Sequence, residues 1–511
     1  MRSLLAVAAI GLLSVLALWP SSTLTSKATS KATSTTTEAP RQRAVRFVGA
    51  ALPGLPQALA DSARPLFDVA VDVDVDSVNV DGAADLGRWR VVDVDADDVD
   101  DVVAALVAAG ATDVDVAPDA VPAVWSVDVD VGDDACPIRT PPLDRHQGYA
   151  TAIDARSVWD VPGGRGQGLA VADVEGQWNG AHEDLPPLSH VAGERMRDAA
   201  WRAHGTAVLG VVVAKDNGVG MVGLAPDVRR VVTASLGRIG PARAIHEAAK
   251  ALAPGDVLIV ELHAPGPNAR GRGQQGYVAM EYWQPEFEAI QWATAKGVVV
   301  VEAAGNGAED LDAAIYRRRF DRAFRDSGAI LVGAGAPEGH DAPARSRLDF
   351  SNHGSRVDVH GWGRRVATLD YGDLQSCSKG RAAPDRDYTA TFSGTSSASP
   401  VVAGAALIVQ GVARAARGAP LAPRALRALL TDTGSPQTSS PRFPVRQHIG
   451  PLPHVGRAVA ALSALPASAP PTSSTTSSPT SSTTSSTTSS TTSTSTSATD
   501  TVVLQPLSKR N

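Results

Sequence analysis

The chain reads as an α/β protein, a parallel sheet with helices on both faces, preceded by a smaller α+β unit. Three observations predict this. Between residues 229 and 333, short runs rich in β-branched residues alternate with stretches of helical spacing, the order that crossover connections impose on a parallel sheet. Residues 88–116 read strand, helix, strand ahead of that alternation. The composition, 43% hydrophobic and 20% charged over 511 residues, is globular and sufficient for two or three domains.

Residues 4–19 form an apolar run behind Met1-Arg2, shorter than the about 20 residues of a membrane span. Residues 1–24 are expected to be a secretory signal peptide or, since no clear small-x-small cleavage site follows, an uncleaved anchor. Residues 25–42, nearly all Ser, Thr, Ala and Lys, read as a linker. An acidic domain is expected over 43–133, since residues 68–134 hold nineteen Asp against two Arg, a charge of -17 in a chain whose total is -7. Val and Asp alternate over 67–75, which predicts a strand with one apolar and one carboxylate face. A solvated face is the preferred reading over calcium, because EF-hand spacing is absent. Residues 89–95 alternate as a second strand. Val99, Val102, Val103, Leu106 and Val107 mark one helix face, with Asp97, Asp98, Asp100 and Asp101 crowding its start, where the helix dipole favours them, and Gly110 ending it. Residues 112–116 return to strand periodicity.

A second domain is expected over 134–465. Strands are predicted at 169–172 (ending at Asp173), 231–234, 257–262, 298–303 and 330–333, and helices at 153–161, 245–252, 287–296, 401–412 and 423–430, with a closing segment at 449–462. Residues 466–511, almost all Ser and Thr, cannot bury a core and read as a disordered or O-glycosylated tail. The only two cysteines, Cys136 and Cys377, are either a disulfide or two buried thiols. CxxC and HExxH spacings are absent, so a catalytic zinc is not expected, no cofactor is required, and a structural calcium has no assignable site.

The chemistry concentrates at 391–404, TFSGTSSASPVVAG. Ser396 is placed at a helix N-terminus, where free N–H groups favour developing negative charge, with Pro400 in the first turn. By composition alone these are capping and turn residues. The order GTSSASPVVAG, however, resembles the serine motif of the subtilisin-like serine proteases, and the resemblance covers about residues 150–462. It makes Ser396 the nucleophile. HGTAVLGVVVAKDNGVGMVGLAP, beginning at His204, resembles the family's histidine helix and makes His204 the general base. GGRGQG followed by LAVAD resembles the first motif and makes Asp173 the orienting acid, supported by His182-Glu183-Asp184-Leu185. Val174-Glu175-Gly176 departs from the Ser/Thr-Gly that follows the acid in relatives. Ala303-Ala304-Gly305-Asn306 matches the oxyanion motif, with Asn306 as side-chain donor and the Ser396 N–H as the second. In relatives a Ser-Leu-Gly run walls the pocket for the residue before the scissile bond. Glu261-Leu262-His263-Ala264 stands there in this chain. Leu262, His263, Ala264 and Gly305 are therefore candidate substrate contacts, and whether Glu261 and His263 narrow the cleft or point away is open.

The order Asp, His, Asn, Ser is that of this family, not of chymotrypsin-like or α/β-hydrolase enzymes. The resemblance implies a subtilisin-like parallel sheet behind an α+β prosegment that assists folding and inhibits until cleaved. It also implies a secreted, monomeric serine endopeptidase acting on protein or peptide substrates through an acyl-enzyme, with its own prosegment as inhibitor. No nucleic acid partner is expected, and no membrane partner unless the N-terminal segment stays uncleaved. Complementary charge is expected to help dock the acidic block on the mildly basic second domain. The alternatives are a non-turnover binding or adhesion protein on the same scaffold, or an ester or amide hydrolase.

Overall fold

The computed structural model describes residues 42–49, 52, 54–67, 85–125, 136–270, 273–377 and 385–462. The expected signal peptide, most of the linker, the Ser/Thr-rich tail, most of the Val/Asp strand and the boundary at 133–134 lie outside the described residues.

The first unit is a four-stranded antiparallel sheet in the order β2-β3-β1-β4, built from β1 (Gln42–Val48), β2 (Arg64–Pro65), β3 (Trp89–Asp95) and β4 (Thr112–Val116), with α1 (Gln57–Ser62) and α2 (Val99–Ala108). Strand alternation divides its residues between two cores. Val45, Phe47, Val92, Val94 and Leu106 pack together within the unit. Trp89 and Val91, with Leu66 and Phe67, pack instead into the cluster of α5 (Gly240–Lys250) and α6 (Gln284–Ala295). Arg46, between Val45 and Phe47, points the same way as Trp89 and pairs with Glu286 of α6 as well as Asp115. Arg88 pairs with Glu288, which also accepts from Trp89 Nε1 at 2.7 Å. The expected docking charge is therefore reversed among the described residues: the acidic unit supplies the cations and α6 the carboxylates. Asp93 and Asp95 share the Trp89 and Val91 face of β3 but lie exposed towards its far end, where Asp93 pairs with Arg64 of β2 and not with α6.

The chain then makes a short strand, β5 (Val121–Pro122). The second unit is a seven-stranded parallel sheet in the order β14-β13-β12-β9-β6-β8-β7. It comprises β6 (Ala170–Glu175), β7 (Leu188–Ala192), β8 (Arg230–Ser235), β9 (Val257–Val260), β12 (Val299–Ala303), β13 (Ile330–Gly335) and β14 (Val359–Trp362). Helices α5 and α6 cover one face. α4 (Ala199–Val213) and α7 (Thr395–Arg417) cover the other, closed by α8 (Pro423–Thr433) and α9 (Val455–Leu462) after the short α3 (Gly148–Ala152). Helix α7 is long and apolar enough to cross a membrane, yet its apolar stretch is wholly buried in the core. A separate antiparallel sheet, β11-β10-β5, joins β10 (Leu262–Pro265) and β11 (Tyr277–Ala279) to β5. A last hairpin pairs β15 (Val366–Leu369) with β16 (Tyr388–Phe392).

Three expectations change. Residues 153–161 form a 3-10 turn at Arg156–Val158 instead of a helix, because Asp154 takes a left-handed φ of 55°. Pro400 lies in the second turn of α7, where its missing N–H interrupts the ladder at the Ser396 carbonyl. Strand β6 runs two residues past Asp173, because Val174 and Glu175 stay in register with Ala234 and Ser235 of β8.

Candidate active site

The site lies at the carboxyl ends of the central strands, where open parallel sheets place their ligands. His204 projects from α4 and is buried, packed edge-on against Phe392 at 5.6 Å. Its Nδ1 bonds the carboxylate of Glu175. Asp173, the acid expected to meet this imidazole, does not bond it. Glu175 ends β6 beside α4, while Asp173 stands one pleat earlier on the same strand face and accepts from Trp178 Nε1 at 2.7 Å. Burial, and secondarily the charge of Glu175, raises the Asp173 carboxyl well above the ordinary range. The signal missed in the sequence is the second acid two residues on, immediately before Gly176. Glu175 Oε1 accepts that glycine's N–H at 3.0 Å.

Ser396 sits in the first turn of α7, with its Oγ 3.4 Å from the Glu261 carbonyl oxygen. Its backbone N–H donates to the carbonyl of Ala123 at 3.2 Å, and Asn306 Nδ2 donates to the same oxygen at 2.5 Å. Asn306 is oriented by Thr395, whose N–H and Oγ1 each donate to its Oδ1 at 2.9 Å. The motif reading assigned Thr395 no role, although it stands beside the nucleophile. Gln274 Oε1 also accepts from Asn306 Nδ2, at 3.1 Å.

The chain's own strand thus occupies the cleft. Leu262 pairs with Pro122 and His263 with Val121, antiparallel. The Ala123 N–H donates to the Glu261 carbonyl at 3.0 Å. Beyond Ala123, Val124 bridges Gly394, the Trp125 N–H donates to Ser393, and the Trp125 ring stacks on Phe350 at 4.8 Å. Gly394 is required here, since a Cβ would lie 2.2 Å from the Ala123 oxygen and the residue's φ is 121°. Of the four candidate substrate contacts, Leu262 and His263 pair with this strand. Ala264 pairs on the other side with Val278, and Gly305 turns the chain into Asn306 at φ 96°, tight against Asn352. Glu261 and His263 are both fully buried, and the His263 Nδ1 accepts from the Asn306 N–H at 3.1 Å. Burial, then the charges of Asp173 and Glu175, raises Glu261 well above the ordinary range.

The model of the subtilase family matches residues 174–450, a span that contains Glu175, His204, Asn306 and Ser396. The chain belongs to the subtilase family. Among relatives, this subtilase is 29% identical over 292 residues to an extracellular protease of Xanthomonas campestris pv. campestris, covering 56% of the chain and 43% of the relative. The chain thus spans less than half of that protein's length. It is 27% identical over 308 residues to an intracellular serine protease of Paenibacillus polymyxa, covering 57% of the chain and 81% of the relative. To subtilisin DY of Bacillus licheniformis it is 28% identical over 254 residues, covering 48% and 78%. Fervidolysin from Fervidobacterium pennivorans, described as a keratinolytic enzyme related to subtilisin, shares the fold at a TM-score of 0.51 and 20% identity, over 82% of this chain and 61% of that one. By family, this subtilase is a serine peptidase.

Proposed function

We propose that this subtilase is an extracytoplasmic serine endopeptidase working through Ser396, His204 and Glu175, and that the first bond it cuts is its own, between Ala123 and Val124. The observation that carries the reading is the Ala123 carbonyl, held by the Ser396 N–H and Asn306 Nδ2 together. Two donors converging on one carbonyl oxygen is the arrangement that stabilises a tetrahedral oxyanion. Ser396 Oγ turns from the Glu261 carbonyl to attack the Ala123 carbonyl carbon while His204 Nε2 takes its proton. Glu175 holds the imidazole through Nδ1. The proton then passes to the Val124 nitrogen, which leaves, and water resolves the acyl-enzyme by the same steps in reverse. The cleaved unit, residues up to Ala123, remains as a product-like inhibitor until it dissociates, after which other polypeptides enter along β10.

N-terminal sequencing of the secreted protein beside its Ser396→Ala variant tests this. The wild type is expected to yield a chain beginning at Val124, and the variant to keep residues 123 and 124 joined. An identical mature N-terminus in both would defeat the reading.

A further inference from the structure

We infer that His263 closes the pocket for the side chain preceding the scissile bond, so that this subtilase cleaves after alanine and residues of similar size. The inference rests on the proposed function and specifies its substrate class. The pocket lies between two walls. One is β10, which pairs with the strand in the cleft at Leu262 and His263. The other is the turn after β12, where Gly305 leads into Asn306 beside the Ala123 carbonyl. His263 crosses between them, its Nδ1 accepting the backbone N–H of Asn306 at 3.1 Å.

The ring is held on its other sides as well. Tyr277 of β11 packs edge-on at 5.0 Å. Burial, then the neighbouring His204, pushes the imidazole down to about 3, with the Pro122 carbonyl opposing, so the ring is neutral and its Nδ1 stays an acceptor at working pH. His263 and Ala123 are both fully buried. A larger side chain at position 123 would have to displace an imidazole whose hydrogen bond helps fix the backbone of the oxyanion donor. The residue that the chain itself presents there is alanine.

The test uses the mature enzyme and peptides that differ only at the residue before the cleaved bond: Ala, Val, Leu and Phe. Wild type is expected to favour Ala over Phe by at least about 100-fold in kcat/KM, the scale on which a fitted pocket discriminates size. In His263→Gly the Phe-to-Ala ratio is expected to rise by at least about 10-fold, even as the lost acceptor for Asn306 lowers both rates. A purely structural role would lower all four peptides in parallel and overturn the inference, as would a wild type that accepts Phe as readily as Ala. Should His263→Gly fail to fold, the full chain carrying Ala123→Phe decides: blocked self-processing supports the inference and normal processing overturns it. A wild-type enzyme that cleaves none of the peptides and is not labelled by an organofluorophosphate at Ser396 would instead defeat the proposed function.

Discussion

Asp173 and Glu175 stand one pleat apart on β6, and only the second reaches His204. Their isosteric amides should therefore separate sharply. Glu175→Gln keeps the shape but replaces the acceptor charge behind the imidazole, and is expected to lower kcat by about 10³–10⁴, the scale of an orienting-acid amide in a triad. Asp173→Asn alters an acid that bonds Trp178 and not His204, and is expected to stay within about 10-fold, both measured on a peptide cleaved after alanine. Equal losses would return Asp173 to the catalytic role. At Gly394 a methyl group would sit 2.2 Å from the Ala123 oxygen, so Gly394→Ala is expected to abolish self-processing, read as an uncleaved precursor on a gel.

Among the elements, β6 decides which acid meets His204, because its pairing with β8 continues to Glu175. Helix α7 supplies a free N–H at the nucleophile for the same reason that any helix begins with unpaired donors. Helix α6 holds the four-stranded unit proposed to be cleaved off. The Arg46–Glu286 pair is almost fully buried on both sides, so salt screens it little, and removing one partner strands the other at a cost of about 3–5 kcal/mol. Arg46→Met is thus expected to speed dissociation of the cleaved prosegment by about 10²-fold or more. Raising wild-type salt from low to about 0.5 M should change that rate far less, since screening acts mainly on exposed charges. Activity appearing in a time course after self-cleavage reads both. A steep salt dependence would mean that the exposed Asp residues, not this pair, dominate docking.

Across the whole molecule, Cys136 and Cys377 form a disulfide spanning 241 positions. It ties the stretch that follows the proposed new N-terminus to the body of the enzyme. Cys136→Ser is expected to cost about 2–5 kcal/mol of stability, the range for native disulfides, read by denaturant unfolding of the inactive Ser396→Ala form. Buried titratable groups set opposing pH responses. Burial pushes Asp184 and Asp370 up to about 6, so between about 4 and 6 the folded state holds more protons at these sites and stability falls as pH rises. Burial pushes His263 and His360 down to about 3 and about 4. Over the same window the unfolded imidazoles bind protons that the folded ones refuse, so stability rises with pH. The two sets offset one another. Asp184→Asn removes one member of the first set, so acidification from pH 6.5 to 4 is expected to destabilise the variant more than wild type, measured as denaturation midpoints. A parallel pair of curves would contradict the assignment of Asp184.

Local order in the sequence determined much of this subtilase. Apolar periodicity marked five of the seven parallel strands and helices α5, α6, α7 and α8, because strand and helix periods act over a few neighbours, while the family-like runs carried His204 on a helix, Asn306 at a strand end and Ser396 at a helix start. Tertiary structure alone decided what depends on partners far along the chain. Whether Asp173 or Glu175 meets His204 turned on how far β6 pairs with β8. Only the folded arrangement brought Ala123 between Ser396 and Asn306, joined Cys136 to Cys377, set Arg46 against Glu286, and turned the His263 ring from a side chain of open direction into the closure of a pocket. Each is a contact across scores of residues, and no local pattern encodes which distant backbone will stand opposite.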